Sequence, residues 1–255
     1  MAFGITRASW ESGGAVCLSK GRAGNARVWR VETPEGAFVI KDFRKSPWWI
    51  RWTWGRWMIG HEYRLLKALE GLEGVPQKVF RVDAYAFGMA FLEGISLGDR
   101  NQWGGKQGLG LLPTSFFFQL ERLVCAMHRR GVAHLDTRNA KNVMVLPGDR
   151  PALVDFQSGV FIRRWFPRWV KRLLWVSDLS SVYKHYYRHY HDGNDGFLDG
   201  PNGFPESRAR IFLGMLRLRK LWVFRGYSFI ATHKQKGYER ALLRRYAEKG
   251  GTKTC

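Results

Sequence analysis

The chain has 255 residues, which is enough for one two-lobed domain or two small domains. Its 42 Lys and Arg residues stand against 21 Asp and Glu residues, a formal net charge of +21, and 45% of the residues are hydrophobic. This composition excludes a disordered tail and predicts a folded, strongly basic protein. Its partner is expected to be anionic, and an acidic lipid, a phosphorylated glycolipid and a nucleic acid all meet that condition.

The first ninety residues have the pattern of a small antiparallel sheet. Strands are predicted at residues 15–19, 28–31, 37–41, 79–83 and 85–93. Gly21 and Gly24 lie in the first hairpin, where glycines let backbone N–H groups approach an anionic ligand closely. An ordinary turn is the alternative interpretation of this hairpin.

A lysine and a glutamate occupy positions that usually carry apolar side chains. Lys41 ends a strand and shares a strand face with Ala37 and Val39. Glu62 lies on the apolar face of a helix predicted over residues 59–69. Because burial of an unpaired carboxylate is costly, we predict an ion pair between Lys41 and Glu62. The alternative places Glu62 at the edge of the apolar face, in solvent.

Two segments, residues 47–57 and 161–175, are rich in both tryptophan and arginine. Indole rings suit the headgroup level of a bilayer, and guanidinium groups pair with phosphates, so both segments predict peripheral contact with an anionic membrane. For the first segment two alternatives stay open. Its aromatic rings could pack inside the protein, or they could stack on single-stranded nucleic acid.

A helix predicted over residues 113–130 leads into a stretch that contains His134, Asp136, Asn142 and Asp155. Asn142 precedes one apolar strand, and Asp155 follows the next strand. Isolated Asp and Asn residues are most often turn formers, so the order of these residues carries the signal rather than any one of them.

The C-terminal part is predicted to be mainly helical. Asp178 is expected to cap the start of a helix. Basic amphipathic helices are predicted at residues 206–222 and 238–248.

The His-x-Asp at 134–136, Asn142 and the Asp-Phe at 155–156 together resemble the catalytic and metal-binding loops of the protein-kinase-like superfamily. The hairpin glycines and the predicted lysine–glutamate pair add to this resemblance to the superfamily. Within it, the Asp-Phe-Gln at 155–157, the short segment that follows and the Asp-Leu-Ser-Ser-Val-Tyr-Lys at 178–184 look most like the lipopolysaccharide core kinases that phosphorylate Kdo or heptose and the related RIO-like kinases. The separation of Asp136 and Asn142 is one position longer than in the protein-kinase pattern. Asn139 is therefore an alternative to Asn142, which we favour because a strand follows it directly.

The resemblance implies an α+β, two-lobed protein-kinase-like fold. Residues 1–93 would form an N-lobe with a small antiparallel sheet and one helix, and residues 94–255 a mostly helical C-lobe. It also implies ATP and Mg²⁺ as cofactors. Asp136 would be the catalytic base, and Asn142 and Asp155 would bind the metal. Asp178 would brace the backbone of the loop that carries Asp136. The residues implied to contact the nucleotide are Lys41 with its partner Glu62, the hairpin glycines Gly21 and Gly24, and Glu93 at the hinge between the lobes.

The function that the resemblance implies is ATP-dependent phosphorylation of a sugar hydroxyl on a lipid-linked saccharide, the lipopolysaccharide inner core. Three widely spaced cysteines and the lack of an apolar signal or spanning segment predict a cytoplasmic protein, peripheral on the inner membrane. Two alternatives stay open: a RIO-like Ser/Thr protein kinase, and a pseudokinase that acts as a membrane or nucleic-acid binding module.

Overall fold

The computed structural model describes residues 2–12, 14–21, 26–48, 52, 55–100 and 110–190. The predicted helices at 206–222 and 238–248 lie outside these ranges. The N-terminal half contains a five-stranded antiparallel sheet with the strand order β1-β2-β3-β5-β4. Its strands are β1 Val16–Ser19, β2 Arg27–Thr33, β3 Gly36–Asp42, β4 Phe80–Arg81 and β5 Ala86–Ala90.

The central strand β3 is fixed by a tight hairpin with β2. Thr33 lies opposite Gly36, and the Thr33 hydroxyl donates to the Gly36 carbonyl at 2.9 Å. Gly36 has φ +119°, a conformation that glycine adopts far more readily than other residues. This register places Lys41 opposite Val28 on one side and Phe87 on the other, near the end of β3.

The two faces of the sheet have different roles. Phe38 and Ile40 are buried against the N-terminal segment, which contributes Ile5 and Trp10 to the same apolar cluster. Arg7 in that segment makes ion pairs with Asp42 at 2.9 Å and Asp83 at 2.6 Å. The alternate residues of β3, including Lys41, therefore point to the opposite face, as the strand pattern predicts.

Helices and short strands make up the rest of the described chain. The helices are α1 Ala8–Glu11, α2 Arg56–Ala68, α3 Thr114–Arg129 and α4 Arg168–Tyr190. Three short strands, β6 Ile95–Ser96, β8 Val143–Leu146 and β9 Arg150–Leu153, form a second sheet. Strand β7 Val132–Ala133 pairs with β10 Val160–Phe161.

The prediction that Asp178 caps a helix is wrong. Helix α4 begins ten residues earlier, at Arg168, and Asp178 lies in its interior. No proline or glycine separates Pro167 from Asp178, so nothing in the intervening sequence stops the helix. The Asp178 side chain is fully buried and bonds to other parts of the chain instead.

A continuous apolar core joins the first sheet to the helices. It includes Leu66 of α2, Phe87 of β5, Phe117 of α3 and Tyr183 of α4. The protein is thus α+β with a small antiparallel sheet, as predicted, and this arrangement is compatible with two lobes. None of the helices in the described ranges is long and apolar enough to cross a bilayer.

Substitution of Gly88 with Ala is expected to lower the free energy of unfolding by about 1–3 kcal/mol. A Cβ atom at this position in β5 would overlap the Phe80 ring and lie 2.7 Å from Cδ1 of Ile40. Urea denaturation followed by tryptophan fluorescence measures the change. Gly14→Ala is the matched control, because a Cβ atom there meets nothing within 4 Å. Equal stability of the two variants would contradict the tight packing of β5 against β3.

Candidate active site

A cleft of about 380 Å³ lies between the first sheet and the β8–β9 strands, and we call it the central cleft. Its walls are mostly apolar with a few polar groups, Lys41 and Asp155 among them, an arrangement typical of a ligand site. The lining residues are Leu18, Ser19, Ala26, Val28, Val39, Lys41, Pro76, Met89, Ala90, Phe91, Leu92, Lys141, Asn142, Met144, Val154, Asp155 and Gln157.

Lys41 makes two short ion pairs. Its Nζ atom lies 2.7 Å from Oε1 of Glu62 and 2.8 Å from Oδ1 of Asp155. Glu62 is only 2% exposed, so the alternative in which its carboxylate reaches solvent is wrong. The ammonium group of Lys41 thereby connects β3 to α2 and to the segment that follows β9.

Electrostatics favour charged forms for Lys41 and Asp155. Burial opposes the positive charge on Lys41, but the carboxylates of Asp155 and Glu62 outweigh it and raise the lysine pKa above its ordinary value. The Lys41 charge lowers the pKa of Asp155. Burial raises the pKa of Glu62, although Lys41 and the backbone N–H of Phe156, which donates to Oε1 at 3.2 Å, act in the opposite direction.

Asp155 has an unusual backbone conformation. Its φ of +66° and ψ of +72° lie in the left-handed region, which non-glycine residues adopt at an energetic cost. Its carboxylate contacts Lys41 and still leaves 44% of the side chain exposed. A strained acidic residue that faces a cleft, held by a buried lysine, marks this position as a functional candidate.

Asp136 and Asn142 contact each other across the six-step loop. The Asn142 amide donates to Oδ2 of Asp136 at 2.8 Å and to its backbone carbonyl at 3.1 Å. The turn Ala140–Asn142 is a 3₁₀ helix, and Asn142 is its last residue. Asn142 is buried and lines the central cleft.

Asn139 has a different role from Asn142. It is exposed, and its side-chain oxygen accepts the Lys141 N–H at 3.2 Å as the cap of the 3₁₀ helix. The backbone N–H of Val154 donates to the Asn142 carbonyl at 3.0 Å, which fixes Asn142 beside the residue that precedes Asp155. The structure therefore brings Asn142, and not Asn139, into the cleft with Asp155.

Two buried side chains fix the loop that carries Asp136. His134 Nε2 donates to the Val154 carbonyl at 3.0 Å, and its Nδ1 accepts the Asp136 N–H at 3.3 Å, as one neutral tautomer allows. Asp178 accepts the backbone N–H groups of His134 and Leu135, both at 2.8 Å. These contacts assign structural roles to His134 and Asp178.

Asp178 is held in its ionised form by several donors. Burial disfavours its charge, but a 2.8 Å hydrogen bond from Nε2 of His128 and the two backbone N–H donors hold its pKa below the ordinary value. Since His128 lies on α3, this carboxylate joins α3, α4 and the Asp136 loop at one buried point.

The other predicted contacts have mixed outcomes. Gly21 has φ +65° and follows the cleft residue Ser19 by two positions, while Gly24 lies outside the described residues. Glu93 is exposed and is not part of the cleft lining, although the adjacent Leu92 is. Sequence reasoning missed Lys141, whose only signal is its position directly before Asn142.

The oxygen atoms of Asn142 and Asp155 suit a hard cation. Among the described residues no group of three or more His, Cys, Asp and Glu side chains could hold a metal ion. Magnesium is commonly bound through one or two carboxylates together with substrate phosphates and water, so this sparse donor set fits Mg²⁺ better than a closed zinc site.

The tryptophans of residues 47–57 and 161–175 that the structure describes lie at the surface. Trp49 and Trp54 lie outside the described ranges. The alternative in which the first segment packs its aromatics inside the protein therefore does not hold for the described indoles. Their exposed fractions are Trp48 72%, Trp52 57%, Trp57 50%, Trp165 77%, Trp169 69% and Trp175 36%.

The central cleft is lined by the buried Lys41, by Asp155 and by Asn142. Glu62 holds Lys41 from behind the lining, and Asp136 contacts Asn142. Such a set can hold an anionic ligand and a cation near a carboxylate able to accept a proton. No protein-family model matches this sequence, and no curated protein matches it either.

Proposed function

We propose that this protein is an ATP- and Mg²⁺-dependent phosphotransferase with a protein-kinase-like fold. Its acceptor is a sugar hydroxyl of a lipid-linked saccharide, of the lipopolysaccharide inner-core type, at the cytoplasmic face of the inner membrane. The observation that carries the proposal is Lys41, fixed by Glu62 and Asp155 in a cleft that Asn142 also lines. Phosphoryl transfer depends mainly on positioning and on charge stabilisation, and this group of residues supplies both.

Each residue has a defined task in this reaction. Lys41 binds phosphate oxygens, and Glu62 holds the lysine in place. The Asp136 carboxylate accepts the proton of the acceptor hydroxyl, and the Asn142 amide orients that carboxylate. Apolar side chains such as Met89 and Met144 fit the adenine ring.

The metal has two expected ligands, Asn142 and Asp155. Bound Mg²⁺ would add positive charge beside the phosphate oxygens. The lowered pKa of Asp155 supports this role, because the carboxylate stays ionised at neutral pH.

A glycolipid acceptor is supported by the exposed tryptophans and arginines of residues 47–57 and 161–175. These side chains suit the headgroup region of an anionic membrane, where a lipid-linked saccharide is presented. Residues 158–177 contain no threonine or tyrosine, so regulation by phosphorylation at those residue types is not expected in this segment.

Substitution of Lys41 with Met is expected to reduce phosphate transfer to purified core glycolipid by about 10²–10³-fold, the usual effect of removing one preorganised charge. The rate is measured with radiolabelled ATP and magnesium. The single substitution leaves Glu62 buried without its cation, which destabilises the fold. The double variant Lys41→Met/Glu62→Gln removes that unpaired charge, so a slow rate in this variant reports the lost phosphate contact and not misfolding. Lys67→Ala is the matched control, since Lys67 is an exposed lysine of α2 that pairs with Glu70.

Three results would contradict this function. A wild-type rate of phosphate transfer in the Lys41 variant would show that Lys41 does not bind the phosphates. A phosphoprotein product without a glycolipid product would favour a RIO-like protein kinase. Absence of nucleotide turnover at every Mg²⁺ or Mn²⁺ concentration would favour a pseudokinase. The glycolipid of a deletion strain, measured by mass spectrometry, should lack one phosphate group.

A further inference from the structure

A second pocket, of about 490 Å³, lies between α2 and β4 and shares no lining residue with the central cleft. We call it the arginine pocket. Three arginines and two aromatic rings dominate its walls. The lining residues are Arg56, Trp57, Gly60, Tyr63, Arg64, Arg81 and Ala84.

Two guanidinium groups meet at Gly60. Nε of Arg64 donates to the Gly60 carbonyl at 3.0 Å. A terminal nitrogen of Arg81 lies 3.9 Å from the point that a Cβ atom of residue 60 would occupy. Two like charges therefore lie against the same turn of α2. Their repulsion would be relieved by an anion bound between them.

The protein itself does not supply that anion in the part of the chain that the structure describes. No ion pair there joins Arg56, Arg64 or Arg81 to a carboxylate. The nearest acidic residues along the chain are already engaged, since Glu62 pairs with Lys41 and Asp83 with Arg7. The positive charge of the pocket is therefore available to a ligand.

Aromatic rings orient the guanidinium groups. Arg81 lies over the Tyr63 ring at 5.6 Å, and Arg56 lies 5.7 Å from the Trp52 ring and 5.8 Å from the Tyr85 ring. A guanidinium group against a ring keeps its in-plane N–H donors for bidentate binding of phosphate. Such donors favour a phosphate group over a diffuse negative surface.

The surroundings of the pocket indicate a membrane. A neighbouring cavity of about 320 Å³ is lined by Arg64 together with Arg163, Trp165 and Phe166. Arg64 thus connects the segment 47–57 to the segment 161–175, and exposed indoles lie on both sides of it. One face of the Trp57 ring is covered by His61, stacked at 4.8 Å, which leaves less ring surface for a nucleobase.

We infer that the arginine pocket binds the phosphate group of an anionic membrane lipid while the neighbouring tryptophans insert at the headgroup level. This inference specifies the membrane contact of the proposed function and rests on that contact, but it does not depend on phosphotransfer. It also makes Arg64 and Arg81, which lie outside both Trp/Arg segments, the centre of the contact.

The double variant Arg64→Ala/Arg81→Ala is expected to bind phosphatidylcholine vesicles that contain phosphatidic acid about 30-fold more weakly than the wild type, given the usual contribution of each basic residue near a bilayer. Sedimentation with vesicles, without nucleotide, measures binding. The matched control is Arg122→Ala/Arg129→Ala, which removes the same charge from two exposed positions of α3 and should bind nearly as the wild type does. Arg64→Lys/Arg81→Lys keeps the charge but should also bind more weakly, because lysine lacks the bidentate donors.

Several results would overturn the inference. Equal losses of vesicle binding in the two double alanine variants, or wild-type binding by the double lysine variant, would show that binding depends on general basic charge and not on the pocket. Binding of inorganic phosphate that depends on Arg64 and Arg81, with no binding to vesicles, would assign the pocket to free phosphate. Binding to single-stranded RNA, with no binding to vesicles, would assign it to nucleic acid. A different result separates the two proposals. If the protein has no kinase activity but its vesicle binding depends on Arg64 and Arg81, the lipid site is supported and the proposed catalysis is contradicted.

Discussion

Replacing Asp136 with Asn is expected to slow phosphate transfer to the glycolipid by about 10²–10⁴-fold, the range that a general base contributes. Asparagine keeps the shape of the side chain, and its oxygen can still accept the Asn142 amide that donates to Asp136 at 2.8 Å in the wild type. The negative charge and the ability to accept a proton are lost. The initial rate of phosphate transfer from ATP in the presence of magnesium is the measurement.

Nucleotide binding should not change in the Asp136 variant, because Lys41 and its two carboxylate partners are untouched. Calorimetric titration with ATP and magnesium tests this separately. Asp149→Asn is the matched control: Asp149 occupies a turn with φ +52°, which asparagine tolerates. A wild-type rate in the Asp136 variant would exclude Asp136 as the base, and an equal loss in the control would indicate an effect on stability instead.

Periodic patterns made part of the site predictable. The alternation along β3 places Lys41 on the cleft face, and the spacing along α2 places Glu62 on its buried face, so the contact between them follows from two local patterns. The bounds of α3 were equally predictable from the sequence, since Pro113 precedes its first residue and Gly131 follows its end by two positions.

Long-range contacts were harder to predict from the sequence. The second partner of Lys41, Asp155, lies more than a hundred positions away, and nothing local specifies that pair. Strands of two residues, such as Ile95–Ser96, are too short to show alternation. The arginine pocket brings Arg64 of α2 and Arg81 of β4 together, and no local pattern in the sequence places them side by side.

Asp178 shows why the prediction of a helix start failed. An aspartate before a run of helix formers has the pattern of an N-cap. Here its carboxylate is buried because it accepts hydrogen bonds from His128 and from the backbone of His134 and Leu135, all more than forty positions away. No local pattern marks these partners, and the contact with the loop backbone was expected only from the resemblance.

Replacing Asp178 with Asn is therefore expected to lower the free energy of unfolding by about 3–5 kcal/mol, the usual effect of breaking a buried charge interaction. The amide NH₂ group of asparagine would face N–H donors where the carboxylate now accepts them. Urea denaturation followed by fluorescence is the measurement. Asp99→Asn is the matched control, because Asp99 is only partly buried and its carboxylate accepts the Ser96 hydroxyl.

The pH dependence gives this prediction a second test. The pKa of Asp178 is lower in the folded protein than in the unfolded chain, so its stabilising contribution is present above the unfolded pKa of about 3.9 and is lost as the pH falls toward the folded pKa. The stability difference between wild type and the Asp178 variant should be full at neutral pH and should narrow below about pH 4. If the stability difference between wild type and the Asp178 variant stays constant on acidification, the lost stability comes from packing. If that difference is no larger than the one for the Asp99 control, Asp178 does not fix the Asp136 loop.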